Sequence, residues 1–288
     1  MLLKNPKKKA QRALNHIGRL KYFHDEKFDK RRNQLRKLMV ESSNIAIKNL
    51  PDALEGFSIV QLTDLHLRPF TQLELIERAV VKANLLKPDL VVLTGDYVWH
   101  DEADILDLAP VLAQLKAKYG VYACLGNHDV DTDAKFITEV LHRHKIPVLI
   151  NQGFSFEVGD ARLYLAGIDD GWKGQPDIKA TMNNHPNKGN VPTILLAHEP
   201  DMIDWYADDT RISLQLSGHT HGGGQVVSNK GKSFIKTHLG KKYVKGLYRV
   251  NQSWVYTSRG IGSTGLPVRH NCLPEVTHLR LVKEESST

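Results

Sequence analysis

The chain has 288 residues, is 41% hydrophobic and carries a formal net charge of +7. That length buries a core sufficient for one large α/β domain or two smaller ones. Its two cysteines, Cys124 and Cys272, lie far apart and exclude a disulfide framework or a zinc finger, which agrees with a reducing compartment.

The start, "MLLKNPKKKA", turns basic after two leucines and lacks the apolar stretch of an export signal. No apolar run reaches the roughly 18 residues of a membrane span, so a cytoplasmic location is expected. Residues 1–50 hold nine Lys and five Arg against Asp25, Glu26, Asp29 and Glu41, a net of +10 that leaves −3 for the rest. Within residues 1–40, Ala10, Ala13, Leu14, Ile17, Leu20 and Phe23 recur at helical steps between the basic residues. A basic amphipathic helix of this kind suits an anionic membrane surface, here the cytoplasmic face of an inner membrane. A helix packed on the body or on a partner subunit is the other reading. Nucleic acid is disfavoured as a partner, because few aromatics are interleaved for stacking. The chain therefore divides into an extension, residues 1–40, and a domain, residues 41–288.

The domain opens with "SNIAIKNLP", a short edge strand ending at Pro51. Strands "FSIVQL" (57–62), "DLVVLT" (89–94) and "VYACL" (121–125) then alternate with helices over 71–87, 102–118 and about 132–144, followed by "IPVLI". This alternation predicts βαβ units and a largely parallel core. The second half is richer in strands: "FSFEV", "RLYLAGI", "TILLAH", "RISLQLS", "SWVYTS" and "EVTHLRL". Together the halves predict two sheets packed face to face with helices outside, an α/β (α+β) sandwich. Residues 173–190 read as a polar surface loop.

Polar residues collect where the apolar strands end. "SIVQLTDLH" ends in Asp64 and His66, "LVVLTGD" in Asp96, and "YACLGNHD" in Asn127, His128 and Asp129. "TILLAHEP" supplies His198 and "LQLSGHTH" supplies His219 and His221. Each alone has a bland explanation, since Asp after a strand commonly caps a helix or makes a turn. Five decorated strand ends at one edge of a parallel sheet make a ligand crevice. The set holds only oxygen and imidazole donors, which suit Mn²⁺, Fe and Zn²⁺.

The ordered blocks D-x-H, G-D, G-N-H-D, lone His and G-H-x-H resemble the calcineurin-like metallophosphoesterase superfamily over about residues 41–282. Within it, "LLAHEPD", "GHTHGGGQV" and "SRGIGSTGLPVRHNCLPE" resemble a bacterial branch of membrane-associated phosphodiesterases and UDP-2,3-diacylglucosamine pyrophosphatases. The resemblance implies a four-layer αββα sandwich of two mixed sheets flanked by helices. It also implies two divalent ions, Mn²⁺ first and Zn²⁺ or Fe²⁺ behind. One ion would be held by Asp64, His66 and His221 and the other by Asn127, His198 and His219, with Asp96 between them. A hydroxide held by both ions would attack phosphorus in line. His128 fits as the acid for the leaving group and Asp129 as the residue orienting it. The glycines after His221 would keep bulk away from the substrate phosphate. One departure from the purple acid phosphatase branch has a consequence: position 99 is Trp where that branch has an iron-ligating Tyr, so a tyrosinate-bound ferric site is not expected.

The substrate class implied is a phosphodiester or a pyrophosphate. Between Lys230 and Arg249 stand six Lys, one Arg and no carboxylate, which either attract an anionic substrate or form a solvated hairpin. Arg259 and Arg269 either grip a second phosphate or pair with carboxylates such as Glu275 or Asp170. A UDP-diacylglucosamine-like lipid pyrophosphate is one candidate substrate. A soluble nucleotide, a glycerophosphodiester or a nucleic acid is the alternative, and a non-catalytic metal-bound scaffold is the remote one.

Overall fold

A computed structural model describes residues 37–186, 190–228, 237–265 and 267–285. The amphipathic pattern of the N-terminal extension and part of the lysine-rich stretch lie outside the described residues.

Strand β2 (Ser58–Leu62) is buried along its whole length, and its side chains alternate between two cores. Val60 and Leu62 face a helical layer, while Ile59 faces a second sheet. Strand β3 (Leu90–Thr94) repeats the pattern, with Val91 and Leu93 on the helical side and Leu90 and Val92 on the other. A strand covered on both faces reads as a continuous apolar run, which is why "LVVL" shows no polar alternation. With β4 (Val121–Cys124), β1 (Met39–Ile47) and β11 (Glu275–Lys283) they form a five-stranded sheet in the order β1-β11-β2-β3-β4. The helical layer is α1 (Leu73–Leu85), α2 (Asp104–Leu112) and α3 (Asn127–Arg143).

The second sheet has six strands: β5 (Gln152–Val158), β6 (Ala161–Gly167), β7 (Thr193–Leu196), β8 (Ile212–Ser217), β9 (Gly246–Val250) and β10 (Ser253–Thr257). Their order is β5-β6-β7-β8-β10-β9, with β6, β7, β8 and β10 parallel and both edges antiparallel. Leu163, Leu165, Ile194, Leu196, Leu214 and Leu216 face the first sheet and close the central core. On the outer face, α4 (Ile178–Thr181) and a 3₁₀ segment, Pro200–Trp205, bring Met182, Met202 and Ile203 onto Tyr164, Leu195 and Val255. Two mixed sheets with helical elements outside are the expected α/β architecture.

Four local features differ from the sequence reading. The edge strand β1 begins at Met39, because it pairs in parallel with β11 from Met39↔Glu275 to Ile47↔Lys283. Helix α3 begins at Asn127, where the Asp129 carboxylate accepts the Gly126 N–H at 2.9 Å, and Asp133 (φ −162, ψ 86) breaks its regularity. "IPVLI" makes only an isolated bridge, Ala123↔Val148. Strand β9, inside the lysine-rich stretch, is added antiparallel to β10.

The carboxyl ends of β2, β3, β4, β7 and β8 meet along one edge of the sandwich. Backbone bonds continue past the strands there: Asp64 N–H to Gly95 O, His66 N–H to Asp96 O and Gly218 N–H to His198 O, each 3.0 Å. Gln61 ties the sheets together, its Nε2 donating to Thr94 Oγ1 (2.8 Å) and Ser217 O (2.9 Å). No described helix is long and apolar enough to cross a membrane.

Candidate metal centre

All seven predicted ligands converge on this edge, and all are buried. Five of them, Asp64, His66, Asp96, His219 and His221, have positive φ values of 51, 41, 57, 68 and 48°. Ordinary L residues avoid that region, and such strain concentrates where a fold holds functional groups in place. The motif glycines permit the crowding. A Cβ on Gly218 would collide with the Asp64 carboxylate and one on Gly126 with that of Asp96. Gly222 packs on Cys272 and Arg259, so this glycine spares bulk toward the C-terminal loop and not, as the motif suggested, toward the substrate.

Among the described residues the predicted ligands' donor atoms form two groups, and a third set, His66, Asp96 and His128, links them. In the first, His66 Nε2 lies 3.1 Å from His221 Nε2, which is 3.4 Å from Asp64 Oδ1. In the second, the donors of Asp96, His198 and His219 all lie within 4.8 Å of one another. Asp96 joins the two, its Oδ2 standing 3.3 Å from His66 Nε2 and 3.1 Å from His198 Nε2. Asn127 Oδ1 is buried and has no hydrogen-bond partner among the described residues.

These donors fit divalent cations. Two ligand atoms each about 2.0–2.2 Å from one ion lie roughly 3.0–3.5 Å apart at ordinary ligand angles, the spacing seen here. Burial pushes His66 down to about 4 and His219 down to about 3, and His221 falls well below the usual histidine range for the same reason. Neutral imidazoles have the lone pair that a metal requires. Asp96 stays ionised despite burial, because His198, His128 and His66 hold its carboxyl well below the usual range. Burial raises Asp64 to about 6. For His198, burial opposes the charge, but Asp96 and Asp64 outweigh it and lift the imidazole above its ordinary value.

The outer nitrogens are held differently around the site. His198 Nδ1 donates to Thr94 O and His219 Nε2 to His238 O, both at 2.6 Å. His221 Nδ1 accepts from Arg269 Nη2 at 3.2 Å. Asp64 is aimed by the His219 N–H, which lies 3.0 and 3.1 Å from its two oxygens.

His128 is half-buried, with its ring edge-on to His66 at 4.9 Å, and its N–H donates to Asp96 Oδ1 at 2.9 Å. Its Nδ1 donates to Trp99 O at 2.9 Å. Asp129 does not orient it. That carboxylate accepts the N–H groups of Asp96 (2.7 Å), Tyr97 (2.9 Å) and Gly126 (2.9 Å), so it shapes the loop that carries Asp96. The two side chains diverge because they are adjacent in a helical first turn. Tyr97 turns inward, its hydroxyl 2.8 Å from Cys124 O.

The two arginines do not offer a phosphate grip. Arg259 Nε donates to Glu275 Oε2 at 2.6 Å and its Nη2 to Glu41 Oε2 at 2.8 Å. Arg269 is wholly buried and donates to Gly262 O, Arg259 O (2.8 Å) and His221 Nδ1. The sequence reading missed the carbonyls of Thr94, His238 and Trp99, since a main-chain acceptor leaves no residue-type signal.

The calcineurin-like phosphoesterase family matches residues 57–223. The metallophosphoesterase YkuE of Bacillus subtilis is 33% identical over 249 residues, covering 83% of this chain and 84% of that protein. The phosphodiesterase YaeI of Escherichia coli is 37% identical over 235 residues, covering 80% and 84%. A zebrafish (Danio rerio) transmembrane protein with a metallophosphoesterase domain is 34% identical over 250 residues, covering 82% of this chain and 56% of that protein. The chain belongs to the calcineurin-like phosphoesterase family.

Proposed function

We propose that this protein is a divalent-metal-dependent phosphodiesterase with a dinuclear centre. The observation that carries the reading is Asp96 Oδ2, placed within 3.3 Å of His66 Nε2 and 3.1 Å of His198 Nε2, between the two donor groups. Asp64, His66 and His221 would hold one ion, Asn127, His198 and His219 the other, and Asp96 both. When bound, the two cations supply Lewis-acid charge at the phosphoryl oxygens and a nucleophilic hydroxide at neutral pH. Mn²⁺ is the first candidate, with Zn²⁺ or Fe²⁺ behind, because the donors are oxygen and imidazole only.

The protein's own groups do the rest. The Trp99 carbonyl takes the Nδ1 proton of His128, so Nε2 is the nitrogen left to exchange a proton with a leaving alkoxide. Asp129 fixes the loop that aims Asp96. YaeI, named a phosphodiesterase, supports a diester in preference to a monoester. The test is metal analysis together with hydrolysis of bis(4-nitrophenyl) phosphate. Two Mn²⁺ per chain and turnover lost in Asp96→Asn support the reading, and turnover by the wild type at the level of Asp96→Asn overturns it.

The finer assignment is a lipid-linked pyrophosphate of the UDP-2,3-diacylglucosamine kind, with residues 1–40 docking the domain, residues 41–288, on the cytoplasmic membrane face. The +10 charge of the first 50 residues and their amphipathic spacing support it. UMP release from mixed micelles tests it. Deletion of residues 1–40 should abolish that release and spare the aryl diester.

A further inference from the structure

The loop after β6 carries an exposed tryptophan beside the candidate metal ligands, on a closely hydrogen-bonded backbone. Trp172 is 46% exposed. Its ring meets His219 edge-on with centroids 6.2 Å apart, and His238 at 5.3 Å. Lys173 Nζ lies 5.0 Å from the centre of the same ring and 3.5 Å from Asp131 in the first turns of α3.

The backbone beneath is fixed by carboxylates. Asp170 Oδ1 accepts the N–H of Trp172 (3.0 Å) and of Lys173 (2.6 Å), and Glu199 Oε2 accepts that of Gly171 (3.0 Å). Asp169 accepts the N–H of Gln175 at 2.8 Å, and Asn151 Oδ1 accepts that of Asp169 at 3.0 Å. Asp170 and Glu199 are wholly buried. A Cβ on Gly171 would meet Met202 Sδ at 2.7 Å and one on Gly174 the Asp169 carboxyl at 2.6 Å, so the loop has no slack.

Burying two carboxyl groups is costly, and stability alone favours covering a large aromatic. Here the buried acids hold an aromatic outside. A ring already fixed in place loses little conformational entropy when a planar group stacks on it.

We propose that Trp172 is the stacking platform for a nucleobase of the phosphate ester. This rests on the phosphodiesterase reading and adds the class of substituent. In a 5′-nucleotide one ribose separates phosphate from base, a separation that suits an ester seated at the cluster with its base at the rim. Every base has a π-face, so the platform predicts a preference for bases over bare sugars without strong choice among bases.

The experiment measures binding of UMP, ribose 5-phosphate and phenyl phosphate to the full-length, Mn²⁺-loaded protein by calorimetry. UMP should bind about tenfold or more tighter than ribose 5-phosphate. Trp172→Ala should weaken UMP alone until the two match, and Trp172→Phe should retain most of the preference. Phenyl phosphate binding as weakly as ribose 5-phosphate supports a base. Phenyl phosphate matching UMP overturns the base assignment in favour of any aryl group. Equal or absent binding of UMP and ribose 5-phosphate, or a preference surviving in Trp172→Ala, overturns the platform. Turnover of bis(4-nitrophenyl) phosphate separates the two readings: without turnover the phosphodiesterase reading fails, and turnover without base preference sinks only this inference.

Discussion

The two halves of the proposed metal centre each hold two imidazoles, differ in their third ligand, Asn127 in one and Asp64 in the other, and brace their imidazoles in opposite ways. In the half built on Asn127, His198 and His219, each imidazole gives its outer proton to a main-chain carbonyl at 2.6 Å. In the half built on Asp64, His66 and His221, His66 Nδ1 has no hydrogen-bond partner among the described residues and His221 Nδ1 faces the guanidinium of Arg269. A carbonyl that accepts the far proton enriches the near nitrogen and fixes the tautomer. A guanidinium has only donors, so it draws density away from the ring it touches. Two imidazoles in each half therefore need not contribute equally to metal affinity: the bracing favours the Asn127 half, while the Asp64 carboxylate favours its own.

Removing the shared ligand should break both halves together. Asp96→Asn is expected to cost on the order of a hundred- to a thousandfold in turnover, with metal content falling below two per chain by elemental analysis. Retention of both ions with full activity would remove Asp96 from its bridging role. Next in size is His128→Ala. A general acid contributes about a hundredfold or more, so an alkyl diester should slow by that much while a 4-nitrophenyl ester, whose leaving group needs no proton, barely changes. Equal losses on both substrates would point to a structural role for His128.

The asymmetry itself is sharpened by Arg269→Met. Gly262 and Arg259 would lose the donor that satisfies their carbonyls, at about 1–3 kcal/mol for each buried acceptor left unpaired, read as a lower melting temperature. Stepwise metal titration should show one of the two affinities altered and the other preserved. Changes to both steps alike would make Arg269 a brace for the whole centre.

The smallest effect is on pH. Burial holds Asp64 up to about 6, so in the metal-free protein it carries a proton below that value and loses it above. An ion entering below pH 6 must displace this proton, which weakens binding as pH falls, by about tenfold per unit for each proton displaced. His66 and His219, down at about 4 and 3, are already deprotonated there and add no slope until the solution is far more acid. Calorimetric titrations between pH 5 and 8 would show a steeper rise in affinity below about pH 6, where Asp64 and His198 both give up protons, than above it, where only the His198 proton is displaced. A slope that persists unchanged to pH 8 would place the competing proton on His198, whose imidazole lies above its ordinary value.

The comparison also shows how far the sequence reached. The ligand residues were legible because each follows an apolar strand, and Asp96, Asn127, His219 and His221 also sit beside a glycine, of which Gly218 lets the backbone crowd Asp64. The parallel neighbours β2, β3 and β4 agree with the βαβ alternation, whereas the insertion of β11 between β1 and β2 left no local signal. The lone segment "IPVLI" misled because apolar runs look alike whether or not an edge is open to pair with them; here it makes one bridge. Asp129 was placed beside His128 for adjacency alone, and the helical first turn sends the two side chains to different partners.

The sequence by itself determined the donors and the sheets that carry them, because strand period and glycine position are local properties of the chain. Only the tertiary structure decided how those donors are braced. Thr94 O reaches His198 across 104 positions of sequence, and Arg269 reaches His221 across 48. It also decided that Trp172 stands in the open at the rim while Arg269 lies inside. A carbonyl acceptor has no side-chain signature, and whether a tryptophan or an arginine is buried depends on what distant strands bring against it.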